Sequence, residues 1–204
     1  GLINDILDMS KIEANKLEIE LIETDLFATI ANIESLIGKQ IRDKGLKFSV
    51  DYQFPLPDYI VTDPSRLRQI LLNLTTNALK FTQVGRITLS VSCDNDILTI
   101  SVKDTGIGMT DAEQASLFSA FYQADSSISR QYGGTGLGLN ISKSLAAKLD
   151  GDISVKSHVG SGSEFILSMA VYKTEKTRWL NNISEVRLVE TSPFCKLDEP
   201  ENLK

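Results

Sequence analysis

The chain of 204 residues contains few of the residues on which disulfide-linked, metal-stapled or membrane-spanning folds depend. Its two cysteines, Cys93 and Cys195, lie far apart, form no CxxC pair and have no histidine cluster beside them. Reduced thiols in a cytoplasmic compartment are therefore the simplest interpretation. The longest apolar runs are short pieces such as residues 70–72, which are far too short to span a membrane.

An excess of positive charge is also absent. The net charge is −6 at pH 7, which argues against a nucleic-acid-binding surface. The acidic excess lies mostly in residues 1–25, which hold seven acidic and two basic residues, and we interpret it as a solvated helix face. Hydrophobic residues make up 42% of the chain and charged residues 24%, and this composition predicts a globular protein with a core of its own.

Hydrophobic periodicity predicts five helices. They cover residues 1–21, 26–44, 64–82, 111–117 and 140–149. The clearest start is at Asp63, which can cap a helix, with Pro64 at the first helical position, where no N–H group is required. Asp25 is a candidate cap for the second helix, and Gly45 is its natural stop. The first helix begins in mid-pattern without a cap, so we expect it to be the second half of a longer element.

Alternating apolar residues predict five strands. They cover residues 46–52, 87–93, 97–103, 153–157 and 164–171. Because helix-separated parallel units do not repeat along the chain, the order favours an α+β fold. We expect a two-layer sandwich whose antiparallel-rich sheet is covered on one face by helices. Residues 54–58 are expected to form a loop, and residues 174–204 are consistent with a linker, a stub of another domain or a disordered tail.

The helix over residues 64–82 carries polar residues beside its core stripe. The core stripe consists of Leu67, Ile70, Leu71, Leu74, Ala78 and Phe81. Asn73, Asn77 and Lys80 lie together on a separate face. An amide oxygen can bind Mg²⁺, and a lysine can meet a phosphate as a point charge. The alternative is that these three residues are simply solvated on an exposed face.

Two glycine-bearing segments follow the predicted strands and suggest a ligand site. Asp104 ends a strand and opens the loop 104–109, where a carboxylate can accept from an exocyclic amine such as that of adenine. The alternative is a glycine turn after an edge strand. Residues 133–140 are rich in glycine and open a helix, whose N–H groups can bind an anion, although neither a Walker A nor a dinucleotide pattern is present.

The polar segment 125–132 precedes that second glycine cluster and suggests a loop that closes over a ligand. Arg130 within it has the reach to contact a terminal phosphate, and a solvated loop residue is the equal alternative. A third glycine-bearing segment, residues 160–165, opens a strand, and a tight turn between two strands is sufficient to explain it.

Taken in order, these segments resemble the five sequence boxes of sensor histidine kinases, known as N, G1, F, G2 and G3. The matching residues are 73–82, 104–108, 118–121, 134–139 and 160–165. The resemblance implies a Bergerat-type ATP-binding fold over a catalytic domain at residues 25–173. Residues 1–24 resemble the end of the second dimerisation helix, a helical stub, and residues 174–204 are left as a linker or tail. Residues 123–127 and 130–134 look most like hybrid sensor kinases, which carry a receiver domain further on.

The resemblance implies ATP and Mg²⁺ as cofactors and assigns roles to individual residues. Asn77 would bind Mg²⁺, Asn73 would support the phosphates or the metal, and Lys80 would contact a phosphate. Asp104 would accept from the adenine amine. Arg130, in an ATP lid at residues 122–135, would join Asn73 and Lys80 as a catalytic residue. The other expected nucleotide contacts are Gly106, Ile107, Gly108, Gly134, Thr135, Gly136, Leu137, Gly138, Leu139, Ser163 and Phe165.

The implied function is to position Mg-ATP so that its γ-phosphate passes to a histidine on a dimerisation helix missing from this chain. That helix, in the same protein or its dimer mate, and a downstream receiver domain are the expected partners, together with ATP. The parent would be a homodimer anchored in the inner membrane of a bacterium, with this domain in the cytoplasm. His158 lies outside any phosphoacceptor motif, so we expect it to be structural or solvent-facing and the chain not to autophosphorylate alone.

Two other functions use the same fold. Gyrase, heat-shock chaperone and mismatch-repair ATPases resemble this family and hydrolyse ATP with a glutamate in the N-box helix. Residues 65–81 contain no Glu or Asp, which counts against hydrolysis. A nucleotide-binding module that regulates only by interaction is the other alternative, and the presence of Asn77, Asp104 and the glycine boxes counts against it.

Overall fold

The computed structural model describes residues 2–119, 136–175 and 177–186, which form a mixed sheet with helices packed on one face. The helices are α1 (Leu2–Glu13), α2 (Leu26–Asp43), α3 (Pro64–Phe81), α4 (Asp111–Ser116) and α5 (Gly138–Lys148), with a 3₁₀ turn at Ile183–Glu185. The strands are β1 (Ile22–Asp25), β2 (Lys47–Gln53), β3 (Leu56–Pro57), β4 (Tyr59–Thr62), β5 (Arg86–Asp94), β6 (Ile97–Asp104), β7 (Gly151–His158), β8 (Gly162–Ala170) and β9 (Trp179–Leu180). The predicted α+β sandwich is confirmed.

The main sheet has five strands in the order β2-β5-β6-β8-β7. Only β2 and β5 run parallel, and every other neighbouring pair in this sheet is antiparallel. The central strands alternate, because every second side chain points to the helix-covered face and is buried there. This face carries the hydrophobic core, with Leu89, Ile100 and Leu167 among the side chains that are wholly buried.

Helix α3 begins where the sequence predicts, because Asp63 satisfies the backbone donors of its first turn. One carboxylate oxygen of Asp63 accepts from the N–H groups of Ser65 and Arg66 at 2.9 and 3.1 Å, and Pro64 occupies the first turn. The predicted core stripe is buried from Leu67 to Ala78. Each such apolar side chain stabilises the fold by about 1.5–3 kcal/mol.

Helix α1 ends at Glu13, so the prediction of a helix to residue 21 is wrong. The backbone N–H of Lys16 donates to the carbonyl of Lys11 at 2.8 Å, and that of Asn15 donates to the carbonyl of Ile12 at 2.9 Å. Asn15 has a φ of 51°, and this left-handed residue ends the helix in a Schellman motif. Of the described helices, none is both long and apolar enough to cross a membrane.

Two short strand pairs lie outside the main sheet, and the sequence prediction missed both. β1 pairs antiparallel with β4, and β3, inside the expected loop 54–58, pairs antiparallel with β9. Asp58 fixes the incoming chain, because its carboxylate accepts from the backbone N–H and the Nε of Arg178 at 2.8 and 2.9 Å. Residues 177–180 therefore pack against the strands that precede α3.

Candidate functional site

The predicted site residues that the structure describes gather at one end of the main sheet. β6 ends there at Asp104, β7 ends at His158 and β8 begins at Gly162. The C-terminal half of α3 and the first turn of α5 complete the site, and Asn73 on α3 donates through Nδ2 to Ser142 Oγ on α5 at 2.9 Å. Segments that are distant in sequence are thus brought together at this edge.

Asp104 is a buried carboxylate, only 4% exposed, and no described cation forms an ion pair with it. Its Oδ1 accepts from the backbone N–H of Gly106 at 2.7 Å, and the backbone N–H of Ser163 also donates to the carboxylate. Burial raises the pKa of Asp104, and these hydrogen bonds offset that effect only partly. The ionised carboxylate therefore has unused acceptor capacity inside the protein.

The Thr82 hydroxyl lies near Asp104, at the end of α3. Thr82 is wholly buried, yet its hydroxyl has no partner in good hydrogen-bond geometry among the described residues. The Thr82 hydroxyl lies close enough to the Asp104 carboxylate to lower the pKa of Asp104. Leaving a buried hydroxyl unsatisfied is costly, which makes the space beside Asp104 suitable for a polar ligand or a water molecule.

Two glycines hold the loops around Asp104 in place. Gly108 has a φ of 67° and lies so close to the carbonyl of His158 that a Cβ would clash with it. Gly162 has a φ of 93° and lies equally close to the carbonyl of Asp104. Only glycine combines this backbone conformation with such close approach. The predicted glycine-bearing segments 104–109 and 160–165 therefore pack directly against each other beside Asp104.

The polar face of α3 lies where the sequence predicts it. Asn73 faces Gly138, where a Cβ would come within 2.6 Å of Asn73 Oδ1. Asn77, one turn further along, is half-buried, and so is Lys80. Partial burial lowers the pKa of the Lys80 ammonium, whose Nζ lies 4.8 Å from the ring centre of Phe81. Two amides and an ammonium thus line one side of the site.

Helix α5 begins at Gly138, two residues earlier than predicted, and no side chain caps its N-terminus. Gly136, with a φ of 70°, directs the chain into it, and Leu137 is buried while Leu139 is half-buried. Asn140 Nδ2 donates to the carbonyl of Phe118 at 2.9 Å, which links the predicted F box to this helix. The N–H groups of an uncapped first turn can bind an anion.

The remaining predicted residues are exposed, buried or outside the part of the chain that the structure describes. Ile107 is exposed at the rim of the site, whereas Phe165 is buried beneath it, opposite Val102 and Val155 in the sheet. His158 is exposed, as expected. Arg130, Gly134, Thr135 and the expected lid at residues 122–135 lie outside the described residues.

Ser157, near the end of β7, was missed by the sequence reasoning. It is 5% exposed, and its Oγ lies 2.8 Å from the N of Met109 and 2.9 Å from both the carbonyl oxygen of Gly162 and the Oγ of Ser163. The signal was available in the alternation of β7, which places a serine at a position that continues the buried face of Ile153. Ser142, the partner of Asn73, was missed as well.

The chemistry of the site fits a nucleotide with a divalent cation. The Asp104 carboxylate is an acceptor for an amine, and the start of α5 and Lys80 suit phosphates. No group of three or more His, Cys, Asp or Glu residues that could hold a metal occurs in the part of the chain that the structure describes. A cation held between the Asn77 amide and the phosphates of a nucleotide would take oxygen ligands, a donor set that suits Mg²⁺.

Comparison with known proteins identifies the family. Residues 62–173 match the family described as histidine kinase-, DNA gyrase B-, and HSP90-like ATPase, and the chain belongs to this family. Among curated proteins, it is 43% identical over 181 residues to the autoinducer 2 sensor kinase/phosphatase LuxQ of Vibrio vulnificus, covering 86% of this chain and 21% of LuxQ. It is also 43% identical over 170 residues to the signal transduction histidine-protein kinase BarA of Escherichia coli, covering 81% of this chain and 18% of BarA.

The aerobic respiration control sensor protein ArcB of Escherichia coli is 42% identical over 171 residues, which cover 83% of this chain and 22% of ArcB. The chain therefore spans about a fifth of the length of the curated relatives it matches. Among solved structures, full-length ShkA in complex with AMPPNP superposes with a TM-score of 0.76 at 34% identity, over 85% of this chain and 36% of ShkA.

Proposed function

We propose that this chain is the ATP-binding catalytic domain of a hybrid sensor histidine kinase. It positions Mg-ATP so that the γ-phosphate passes to a histidine on a dimerisation helix. The observation that carries the proposal is the buried Asp104 carboxylate, which faces the site with acceptor capacity that no described cation uses. The similarity to LuxQ, BarA and ArcB, all named as sensor or kinase proteins, supports the same function.

The base end of the site selects adenine through Asp104. Its carboxylate accepts from the exocyclic amine, whereas the carbonyl that guanine carries at that position would meet the carboxylate acceptor to acceptor. The backbone N–H groups of Gly106 and Ser163 hold the carboxylate in its orientation. Gly108 and Gly162 let the loop backbones pack closely against each other around Asp104, which supports the base end of the site.

The phosphate end of the site is formed by α3 and the start of α5. Asn77 supplies an amide oxygen for the cation. Asn73 is hydrogen-bonded to Ser142 and lies directly against Gly138 at the start of α5. Lys80 adds one positive charge on the same face. Bound Mg²⁺ neutralises the charge of the phosphates. Catalysis of phosphoryl transfer by these residues is mostly positioning and charge stabilisation, and Arg130, from the expected lid, is assigned to the terminal phosphate.

The proposal extends to the rest of the parent protein. Residues 1–24 hold the end of a dimerisation helix, α1, and the segment that leads from it into β1. Residues 25–173 form the catalytic domain, and residues 174–204 are a linker or tail whose first part packs against the domain through β9. The parent is a homodimer anchored in a bacterial inner membrane, and this domain lies in the cytoplasm. Support for this arrangement comes from the resemblance to hybrid kinases, since this chain matches only 18–22% of the length of the relatives named above.

Calorimetric titration of ATP and ADP, with and without Mg²⁺, tests the binding function. The wild-type chain should bind ATP more tightly with Mg²⁺ than without it. Asn77→Ala should lose this response and about tenfold of its affinity for Mg-ATP, since one lost ligand interaction is worth about 1.4 kcal/mol. The matched control is Thr76→Ala, an exposed neighbour on the same helix, which should behave like the wild-type chain.

Two outcomes would contradict the proposal. A folded wild-type chain that binds no nucleotide would favour an interaction module. Steady ATP hydrolysis by the isolated chain would favour an ATPase, although α3 contains no Asp or Glu to activate a water molecule. The kinase step itself is tested by restoring the preceding helix, after which acid-labile phosphohistidine should appear on that helix and not on His158.

A further inference from the structure

We propose that Ser157 is a positioning residue that turns the hydroxyl of Ser163 into a hydrogen-bond acceptor toward the nucleotide base. Ser157 thereby helps the site to prefer an amino-purine over an oxo-purine. The inference rests on the proposed function, because it concerns the same base-binding site. It assigns a role to a residue that lies outside the five sequence boxes.

The three side chains concerned lie in one row across neighbouring strands. Ser157 on β7 is the direct partner of Ser163 on β8. The register of β8 with β6 pairs Lys103 with Glu164, which places Ser163 beside Asp104. Asp104, Ser163 and Ser157 are 4%, 9% and 5% exposed. A carboxylate and two hydroxyls thus lie side by side and buried at the edge of the sheet where the site is built.

The number of protons in this row fixes the direction of each hydrogen bond. A serine hydroxyl has one proton to donate and two lone pairs to accept with. The carbonyl of Gly162 can only accept, so the Ser157 hydroxyl donates its proton to that carbonyl oxygen at 2.9 Å. The N–H of Met109 can only donate, so at 2.8 Å it uses one lone pair of Ser157. The 2.9 Å contact between the two hydroxyls is then completed by the proton of Ser163.

Ser163 consequently faces the rest of the site with lone pairs only. Its neighbour Asp104, when ionised, also accepts and does not donate. Two adjacent acceptors match an exocyclic amine, which has two N–H donors, either directly or through a water molecule. An oxo-purine presents a carbonyl oxygen at the same position, and neither side chain has a proton to offer it. Without Ser157, the Ser163 hydroxyl becomes free to rotate and donate.

Paired titrations with ATP and inosine triphosphate test this role, because the two nucleotides differ only at the six-membered ring edge, where a carbonyl replaces the amine and the adjacent ring nitrogen gains a proton. The wild-type full chain should prefer ATP. In Ser157→Ala, the ratio of the two affinities should fall about fivefold to tenfold, the effect of one neutral hydrogen bond of about 1 kcal/mol. Ser157→Thr, which keeps the hydroxyl, should restore the preference. Ser154→Ala, the same change at an exposed position of β7, should leave it unchanged.

A second variant and a nucleotide-free measurement separate this role from simple destabilisation. Ser163→Ala removes the acceptor itself and should lower the same ratio. Amide hydrogen exchange in the absence of nucleotide should show faster exchange at Met109 in Ser157→Ala, where its N–H loses its acceptor. In Ser163→Ala, Met109 should keep wild-type protection, because Ser157 remains in place.

The outcomes distinguish this inference from the proposed function. A folded wild-type chain that binds neither nucleotide would overturn both. A wild-type chain that prefers ATP, with Ser157→Ala or Ser163→Ala keeping that preference, would overturn the role of Ser157 alone. An equal loss of preference in Ser154→Ala would also overturn it, since any change on β7 would then have the same effect.

Discussion

Two buried aspartates at different places in the fold differ in what surrounds them. Asp63, at the start of α3, is 5% exposed, and Asp104, at the end of β6, is 4% exposed. Burial acts on the pKa of both in the same direction, upward. Hydrogen bonds from Ser65, Glu20 and Arg66 nevertheless bring the pKa of Asp63 below its ordinary value, whereas the pKa of Asp104 stays raised.

The difference indicates which carboxylate stabilises the fold and which one is available to a ligand. Asp63 accepts from the backbone and the hydroxyl of Ser65 at 2.9 and 2.6 Å and from the backbone N–H of Glu20 at 3.1 Å, so it joins the start of α3 to the segment that precedes β1. Asp104 accepts from the backbone N–H of Gly106 in the loop that follows it and from that of Ser163 on β8, and these bonds satisfy the carboxylate only in part. A buried charge that the protein satisfies only in part marks a functional site.

Replacing Asp104 should have the largest effect on binding. Asp104→Asn turns one acceptor into a donor that would face the adenine amine, so the affinity for ATP should fall about 100-fold. The free energy of unfolding should stay the same or increase, because a buried charge is removed. Calorimetric titration and chemical denaturation measure the two quantities. Strong destabilisation with intact ATP binding would show that Asp104 is a structural residue.

Replacing Asp63 should have the opposite result. Asp63→Ala removes the cap of α3 and the acceptor of the Glu20 N–H, so the free energy of unfolding should fall by about 2 kcal/mol. The affinity for ATP should change less than twofold under conditions where the variant is folded. A large loss of affinity at unchanged stability would break the distinction between the two carboxylates.

The sequence predicted local elements of the fold better than the contacts between distant segments. Asp63 and Pro64 located the start of α3, and the spacing along this helix placed Asn73, Asn77 and Lys80 on one face of it, while their roles toward a nucleotide stay predictions. These predictions depend on local signals, namely a cap, a helical period and glycine turns. The same signals were sufficient for the main strands of the sheet.

The errors came from interactions between segments far apart in sequence. β1 and β4 have four residues each and pair across more than thirty residues of sequence. Neither strand is long enough to show a clear alternating pattern. β9 consists of Trp179 and Leu180 and exists because β3 offers an edge. Ser157 was missed because its three partners lie on other loops and strands, although a serine on a buried face was visible in the sequence.

The pH dependence of the preference for ATP over inosine triphosphate should distinguish the two carboxylates, and it is the smallest of the expected effects. Asp63 has a lowered pKa, so it stabilises the fold above the ordinary value of 3.8, and this contribution is lost only as the pH falls through its folded pKa. Asp104 has a raised pKa, so its carboxylate is protonated first on acidification, and the stability of the folded state falls as the pH rises from 3.8 to the folded pKa and stays at the lower value above it. Between the two pKa values the chain should remain folded while the protonated Asp104 gains a donor for an oxo-purine. The preference for ATP over inosine triphosphate should therefore fall on acidification from neutral pH, by at most about tenfold per pH unit, because one proton is bound.

Using the ratio cancels the titration of the phosphates, and Asp104→Asn should give a flat profile. A flat profile in the wild-type chain would mean that Asp104 is ionised throughout, as Asp63 is, and the contrast between the two carboxylates would be lost.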